Sequence, residues 1–388
     1  MEFEFWWLIA LPLFFTLGWI AARIDIQQLL SESTSLPAAY FKGLNFLISD
    51  QQDKAIEAFT EAVQANSESL ELHFALGSLF RRSGEVDRAI NLHLSLLDRK
   101  ELPAAQKQAI KAELAQDYLK AGLYDRAEEL FNSLDDGRYQ QASLRALLEI
   151  YIREREWQRA IKSATELERI SGVPFRKEIA QFYCEMAVKS LLENDAHTAR
   201  HELEMALDSN KNCVRANIML GDMEASTNAH KAALSFWKRI ETQHSEYLGM
   251  VAPKILASYK AIGAFSEGLD LLKAYFKAHK LPSLLSVLFE KTLSEEGAPA
   301  AAQMALNDLE RKPRLQTLEH LLKARAQSNQ ATGDGDTVLI QQTIRNAIGN
   351  RNAYCCNQCG FRARNFHWQC PACNAWEALP PEPKETAV

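Results

Sequence analysis

The sequence has no Walker loop, no Gly-x-Gly-x-x-Gly stretch and no nucleophile elbow. Phosphate-cradling, dinucleotide-binding and hydrolase chemistry therefore lack their usual scaffolds. His197 and His201 stand four residues apart on a helical stretch beside Glu202, but the Glu lies outside the pair, so the His-Glu-x-x-His zinc motif is absent too. Cysteine is scarce until the last forty residues: only Cys184 and Cys213 precede them, in helical surroundings that mark them as small core residues. That excludes a paired-cysteine framework. Charge is not one-sided either. The 44 Lys and Arg against 50 Asp and Glu give a net charge of −6, ordinary for a helical body.

What is present concentrates at the two ends. Near the C-terminus, Cys356-Asn357-Gln358-Cys359-Gly360-Phe361 is followed by Cys370-Pro371-Ala372-Cys373. Two Cys-x-x-Cys knuckles bring four thiolates, Cys356, Cys359, Cys370 and Cys373, onto one tetrahedral ion. Gly360 permits the sharp turn that aims amides at the sulfurs. Cys355 is an adjacent fifth thiol outside the knuckle spacing. Four protein thiolates leave no open coordination position, which argues for a structural rather than a catalytic metal. A module this small folds only with the ion bound. Phe361, Phe366, Trp368 and Trp376 are expected to form its miniature core. Zinc is the default ion; the knuckles also resemble those of rubredoxin, so iron is the alternative. Arg351, Arg362 and Arg364 make the module basic, but no regular aromatic–basic interleaving supports nucleic-acid binding.

At the N-terminus, residues 5–22 carry no charge. Eighteen residues reach about 27 Å as a helix, just enough to span a bilayer. Trp6, Trp7 and Trp19 sit near the ends, where an aromatic belt lies. Glu2 and Glu4 precede the run where a signal peptide has cations, so an uncleaved anchor (1–22) is expected, with a juxtamembrane linker over 23–36. No Lys or Arg precedes the run and Arg23 follows it, which places the bulk of the chain in the cytoplasm. Reduced thiols at the far end agree with that side.

Between the ends a pattern recurs. Gly43, Ala55, Phe59 and Ala62 set spacings of 12, 4 and 3, and Gly77, Ala89, His93 and Leu96 repeat them 34 residues later. Ala115, Ala127, Phe131 and Leu134 follow, then Leu148, Ala160, Ala164 and Leu167. Ala187, Ala199, Leu203 and Ala206 come next, then Gly221, Ala233, Trp237 and Ile240, and a looser copy at Leu256, Gly268, Leu272 and Tyr275. This is the tetratricopeptide pattern of antiparallel helix pairs. The small residue at the first position is expected to meet the Ala twelve residues on. The fold class is therefore all-α: a tetratricopeptide solenoid over 37–327, with an N-terminal transmembrane helix and a small C-terminal rubredoxin-like domain. Residues 282–293, 299–311 and 315–327 read as a degenerate pair and a further helix. A polar linker (328–336), a connecting helix (337–349), the four-cysteine domain (350–379) and a disordered tail (380–388) complete the chain. Helical register puts Phe74, Arg81, Arg82, Lys120, Arg145 and Arg153 on or near the inner face of the second to fourth repeats, suited to an acidic or amphipathic partner segment.

The joint order of anchor, repeats and knuckles, the run Tyr354-Cys355-Cys356-Asn357-Gln358-Cys359-Gly360-Phe361 and the run His367-Trp368-Gln369-Cys370-Pro371-Ala372-Cys373-Asn374-Ala375-Trp376 carry a resemblance over the whole chain. It resembles the lipopolysaccharide assembly protein B family of Gram-negative bacteria. The resemblance implies a non-enzymatic adaptor in the bacterial inner membrane. Such an adaptor helps a membrane AAA+ metalloprotease degrade the deacetylase that commits precursor to lipid A. It also implies other lipopolysaccharide assembly proteins as partners, with self-association left open, and one zinc or iron ion on the four knuckle cysteines. Two other readings are an envelope-assembly scaffold that does not promote proteolysis and a rubredoxin-like electron carrier.

Overall fold

The computed structural model describes residues 38–99, 102–135, 137–328, 339–340, 342–347, 352–382 and 384–385. The expected anchor at 1–22 and the linkers at 23–36 and 328–336 fall outside them, save Ser328. No helix among the described residues is long and apolar enough to cross a membrane. The chain divides into two compact units, the first ending at Glu154 and the second beginning at Arg155.

The first unit holds α1 (Ala38–Ile48), α2 (Gln52–Ala65), α3 (Leu70–Ser83), α4 (Val86–Leu97), α5 (Ala104–Ala121), α6 (Tyr124–Asn132) and α7 (Gly137–Glu154). The second begins with α8 (Trp157–Ser171), α9 (Arg176–Leu192), α10 (Ala196–Ser209), α11 (Val214–Ser226) and α12 (His230–Lys238). A short helix α13 (Ile240–His244) and a 3-10 turn (Ser245–Tyr247) lead into α14 (Leu248–Ala261) and α15 (Phe265–His279). Then come α16 (Pro282–Glu295), α17 (Ala298–Arg311) and α18 (Leu315–Ser328). A three-stranded sheet in the order β2-β1-β3 closes the chain: β1 (Asn352–Cys355), β2 (Arg362–Ala363) and β3 (Lys384–Glu385).

The helices pair because each buries one apolar stripe that it cannot bury alone. Ala55, Phe59, Ala62, Ala89, His93, Leu96, Ala199, Leu203, Ala206, Ala233, Trp237 and Ile240, all from the repeated pattern, are buried. One detail goes beyond expectation. The atoms nearest the missing Cβ of the first-position glycine belong to the residue sixteen on. A Cβ added at Gly43 would lie 2.6 Å from the Phe59 ring, at Gly77 2.4 Å from the His93 ring and at Gly221 2.2 Å from Trp237 Nε1. A helix B ring occupies the space where the helix A glycine has no side chain. The Ala at the second position is buried elsewhere in the same seam.

Within the segment expected to be a disordered tail, the described residues make specific contacts. Glu382 accepts a hydrogen bond from Ser283 Oγ. Beyond it, Lys384 pairs with Ala353 and Glu385 with Asn352 across β3 and β1. Mixed charge and three prolines signal disorder only for a segment with nothing to pair with. Here β1 offers an edge with which Lys384 and Glu385 pair.

Candidate metal centre and repeat face

The two knuckles share one backbone plan. In the first, Gly360 N donates to Cys356 O at 3.0 Å and Cys356 N donates to Phe361 O at 2.8 Å. In the second, Asn374 N donates to Cys370 O at 2.9 Å and Cys370 N donates to Ala375 O at 2.9 Å. The residue after each knuckle takes a positive φ, 74° at Gly360 and 58° at Asn374. Glycine enters that region freely, and asparagine is among the side chains that tolerate it best. The turn directs amides at sulfur: those of Gln358 and Cys359 face Cys356, that of Phe361 faces Cys359 and that of Ala375 faces Cys373. Such donors stabilise thiolate charge.

The four sulfurs of Cys356, Cys359, Cys370 and Cys373 all lie within 4.8 Å of one another. Two of the edges, Cys356–Cys373 and Cys359–Cys370, are 3.7 Å. A tetrahedron with metal–sulfur bonds of about 2.3 Å has edges of about 3.8 Å. Disulfides need about 2.05 Å. The donor set therefore fits one tetrahedral ion and not two disulfides. Cys355 is excluded from it, because its sulfur points at Gly360 O, 3.8 Å away. Cys356 and Cys370 are buried while Cys359 and Cys373 are exposed, so one edge of the site faces solvent.

The aromatic residues divide differently from expectation. Phe361 and Phe366 pack with Tyr354, Ala378 and Leu379 around the buried cysteines. Phe366 also meets the Tyr247 ring at 6.2 Å and Trp368 at 5.0 Å, so it bridges the module and the repeats, which Trp368 and Trp376 contact as well. Trp368 stacks on Tyr247 with centroids 5.3 Å apart and planes 2° apart, and Arg215 lies 5.7 Å over the same indole. Trp376 meets the edges of Trp157 and Phe182 at 6.4 and 6.1 Å. Glu377 accepts from Gln181 Nε2 at 2.7 Å. Burial pushes the carboxyls of Glu377 and Glu382 above the ordinary range, and burial pushes the Tyr247 phenol up as well. The module is thus docked on α9, on α11, on the turn before α14 and on the start of α16, where repeat pairs present their first helices. No periodic signal in the sequence marks these positions. The one available hint was polar residues at inner first-helix positions: Gln181, Arg215 and Asn217 are buried.

The predicted partner residues all lie in the first unit and differ in exposure and pairing. Phe74 packs with Leu70, Leu96 and Ile110. Arg81 is sequestered: it pairs with Glu113 at 2.7 Å and with the fully buried Asp117 at 2.6 Å, whose other oxygen meets His93 Nδ1. Arg153 pairs with Glu149 at 2.8 Å and donates to Tyr124 Oη at 3.3 Å. Arg82 and Lys120 are exposed. Arg145 lines a cavity of about 410 Å³ between α5 and α7, with Gln116, Leu119, Gln141 and Glu149. Elsewhere, Glu202 is buried and accepts from Ser190 Oγ at 2.8 Å, so it serves the helix seam rather than the neighbouring histidines.

Comparison with known proteins matches residues 354–381 to the family described as Rubredoxin metal binding domain, and residues 49–105 to Tetratricopeptide repeat. A protein of Escherichia coli strain K12 named Lipopolysaccharide assembly protein B is 30% identical over 376 residues, covering 96% of this chain and 97% of its own. The protein of the same name from Haemophilus influenzae strain Rd is 28% identical, again covering 96% of this chain and 97% of its own.

Proposed function

Since the chain belongs to the lipopolysaccharide assembly protein B family, a family of assembly proteins built on a non-enzymatic repeat scaffold, we propose that it is an adaptor tethered to the inner membrane. In this reading the run at 5–22 confines the chain to the membrane plane with its bulk on the cytoplasmic side. The first unit holds the deacetylase that commits precursor to lipid A. Confinement raises that client's effective concentration beside a membrane AAA+ metalloprotease, which degrades it. The chain itself performs no chemistry.

The observation that carries the reading is the unequal use of the two repeat faces. In the second unit, first-helix residues Gln181, Phe182 and Arg215 are engaged by the metal module. In the first unit, the cavity between α5 and α7 is open and carries Arg145 beside Gln116 and Gln141. An acidic or helix-terminal client segment fits that chemistry. The metal ion, zinc or iron, holds Cys356, Cys359, Cys370 and Cys373 together and so fixes the module that covers the second unit. Crosslinking in membranes, with mass spectrometry of the captured partners, tests the proposal. Capture of the deacetylase and the protease through the first unit is expected. Capture of biosynthetic enzymes alone, with client half-life unchanged when the protein is removed, replaces it with a scaffold role.

A further inference from the structure

Cys184 on α9 and Cys213 at the N-cap of α11 are both fully buried, and their sulfurs lie 3.8 Å apart. Neither belongs to the metal centre. Their neighbour is informative. Gln181 Nε2 lies 3.7 Å from Cys213 Sγ and donates to Glu377 Oε1 at 2.7 Å. The same amide's Oε1 accepts from Arg215 Nη1 at 3.4 Å. Arg215 in turn pairs with Glu185 at 2.8 Å and lies over Trp368. One glutamine side chain therefore joins the thiol pair to two of the contacts that dock the module.

We propose that Cys184 and Cys213 are a disulfide-forming pair whose closure loosens the docked metal module. Two thiols become one disulfide. Their two protons and two electrons pass to a low-molecular-weight disulfide, which leaves as two thiols. The sulfurs must approach from 3.8 Å to about 2.05 Å. Closing that gap shifts Cys213 Sγ, the sulfur that accepts from Gln181 Nε2, and so disturbs the contact that orients the glutamine toward Glu377. The reverse coupling follows from thermodynamics. If the disulfide weakens docking, docking disfavours the disulfide by the same factor at equilibrium. Disulfides that come and go in a reducing compartment act as sensors rather than staples.

The test uses the full-length, metal-loaded chain carrying Cys355→Ser, treated with oxidised glutathione. Peptide mapping scores the Cys184–Cys213 crosslink, and hydrogen exchange follows residues 374–382. The crosslink should form, exchange over 374–382 should rise, and metal content should stay constant. Trp376→Ala should raise the equilibrium constant for the crosslink in a glutathione redox buffer by about 5–150-fold, the usual range of coupling between sites. Gln181→Ala, a milder change, should shift it in the same direction. Absence of the crosslink in all three proteins overturns the proposal, as does a crosslink that leaves exchange unchanged. An equal rise in exchange in Cys184→Ser/Cys213→Ser assigns the effect to the knuckle thiols and overturns it too.

Discussion

Trp368 lies flat on Tyr247, with planes 2° apart and centroids 5.3 Å apart, and this contact joins the metal module to the repeats. Tyr247 is buried with Leu248, Val251 and Leu284 in the core of the second unit, so the indole stacks on a rigid platform. Tyr247→Ala should destabilise the metal-loaded second unit by about 3 kcal/mol, near the lower end for buried aromatic truncations. Denaturant titration followed by tryptophan fluorescence measures this. Unchanged stability would mean that the stack is incidental to docking.

The metal centre makes a stoichiometric prediction. Purified protein should hold about one zinc or iron per chain. Cys359→Ser should lose the ion, and Cys355→Ser should keep it, because the Cys355 sulfur faces Gly360 O instead of the other four. Elemental analysis decides. Full retention in Cys356→Ser/Cys370→Ser would refute the assignment.

The close approach at the repeat seam separates two glycines. Gly221→Ala puts a Cβ 2.2 Å from Trp237 Nε1, whose N–H donates to Ile218 O at 3.3 Å. It should cost about 1–3 kcal/mol by overpacking. Gly137→Ala, in open space at the start of α7, should be neutral or stabilising by up to about 1 kcal/mol. Paired thermal melts compare them.

Charge reversal in the first unit should separate two kinds of cation. Arg82→Glu, Lys120→Glu and Arg145→Glu together should weaken client capture and its salt sensitivity while leaving helicity intact. Arg81→Glu should instead destabilise the unit by about 3–5 kcal/mol, because the fully buried Asp117 would lose its cation. Lys162 and Arg169 serve as control positions; Arg169 is fully exposed and pairs only locally with Glu166. Circular dichroism and a pull-down at low and high salt tell these cases apart. Equal capture by the triple variant and the parent would place the client elsewhere.

Docking should also depend on pH. Burial holds the Glu377 and Glu382 carboxyls above their ordinary range. The folded state then binds these protons more tightly than the unfolded chain does. Stability therefore falls as pH rises from the ordinary carboxylate value through the raised one, and it recovers as pH drops back into that window. Glu377→Gln keeps an acceptor for Gln181 and removes the charge. It should flatten part of this dependence and stabilise docking at neutral pH, as read by denaturation under saturating zinc. A profile identical to the parent's would show that Glu377 titrates normally.

The sequence by itself determined what is local and repeated. The small residues at Gly43, Gly77 and Gly221 and the buried alanines twelve residues on made the helix pairs legible, because the same internal spacing is written in every copy. The knuckles were legible for the same reason: four ligands within eighteen residues fix their own geometry, and the spacing alone chose Cys356 over Cys355. Only the tertiary structure decided which ring fills each glycine's space, because that depends on how one helix is rotated against the next. It decided that Trp368 and Trp376 reach the repeats, that Arg81 pairs with Asp117, and that Glu382 accepts from Ser283. The contacts of Gln181 with Glu377 and of Ser283 with Glu382 span about a hundred residues or more. A contact at that separation occurs once, has no period, and is set by the surfaces that meet after both parts have folded.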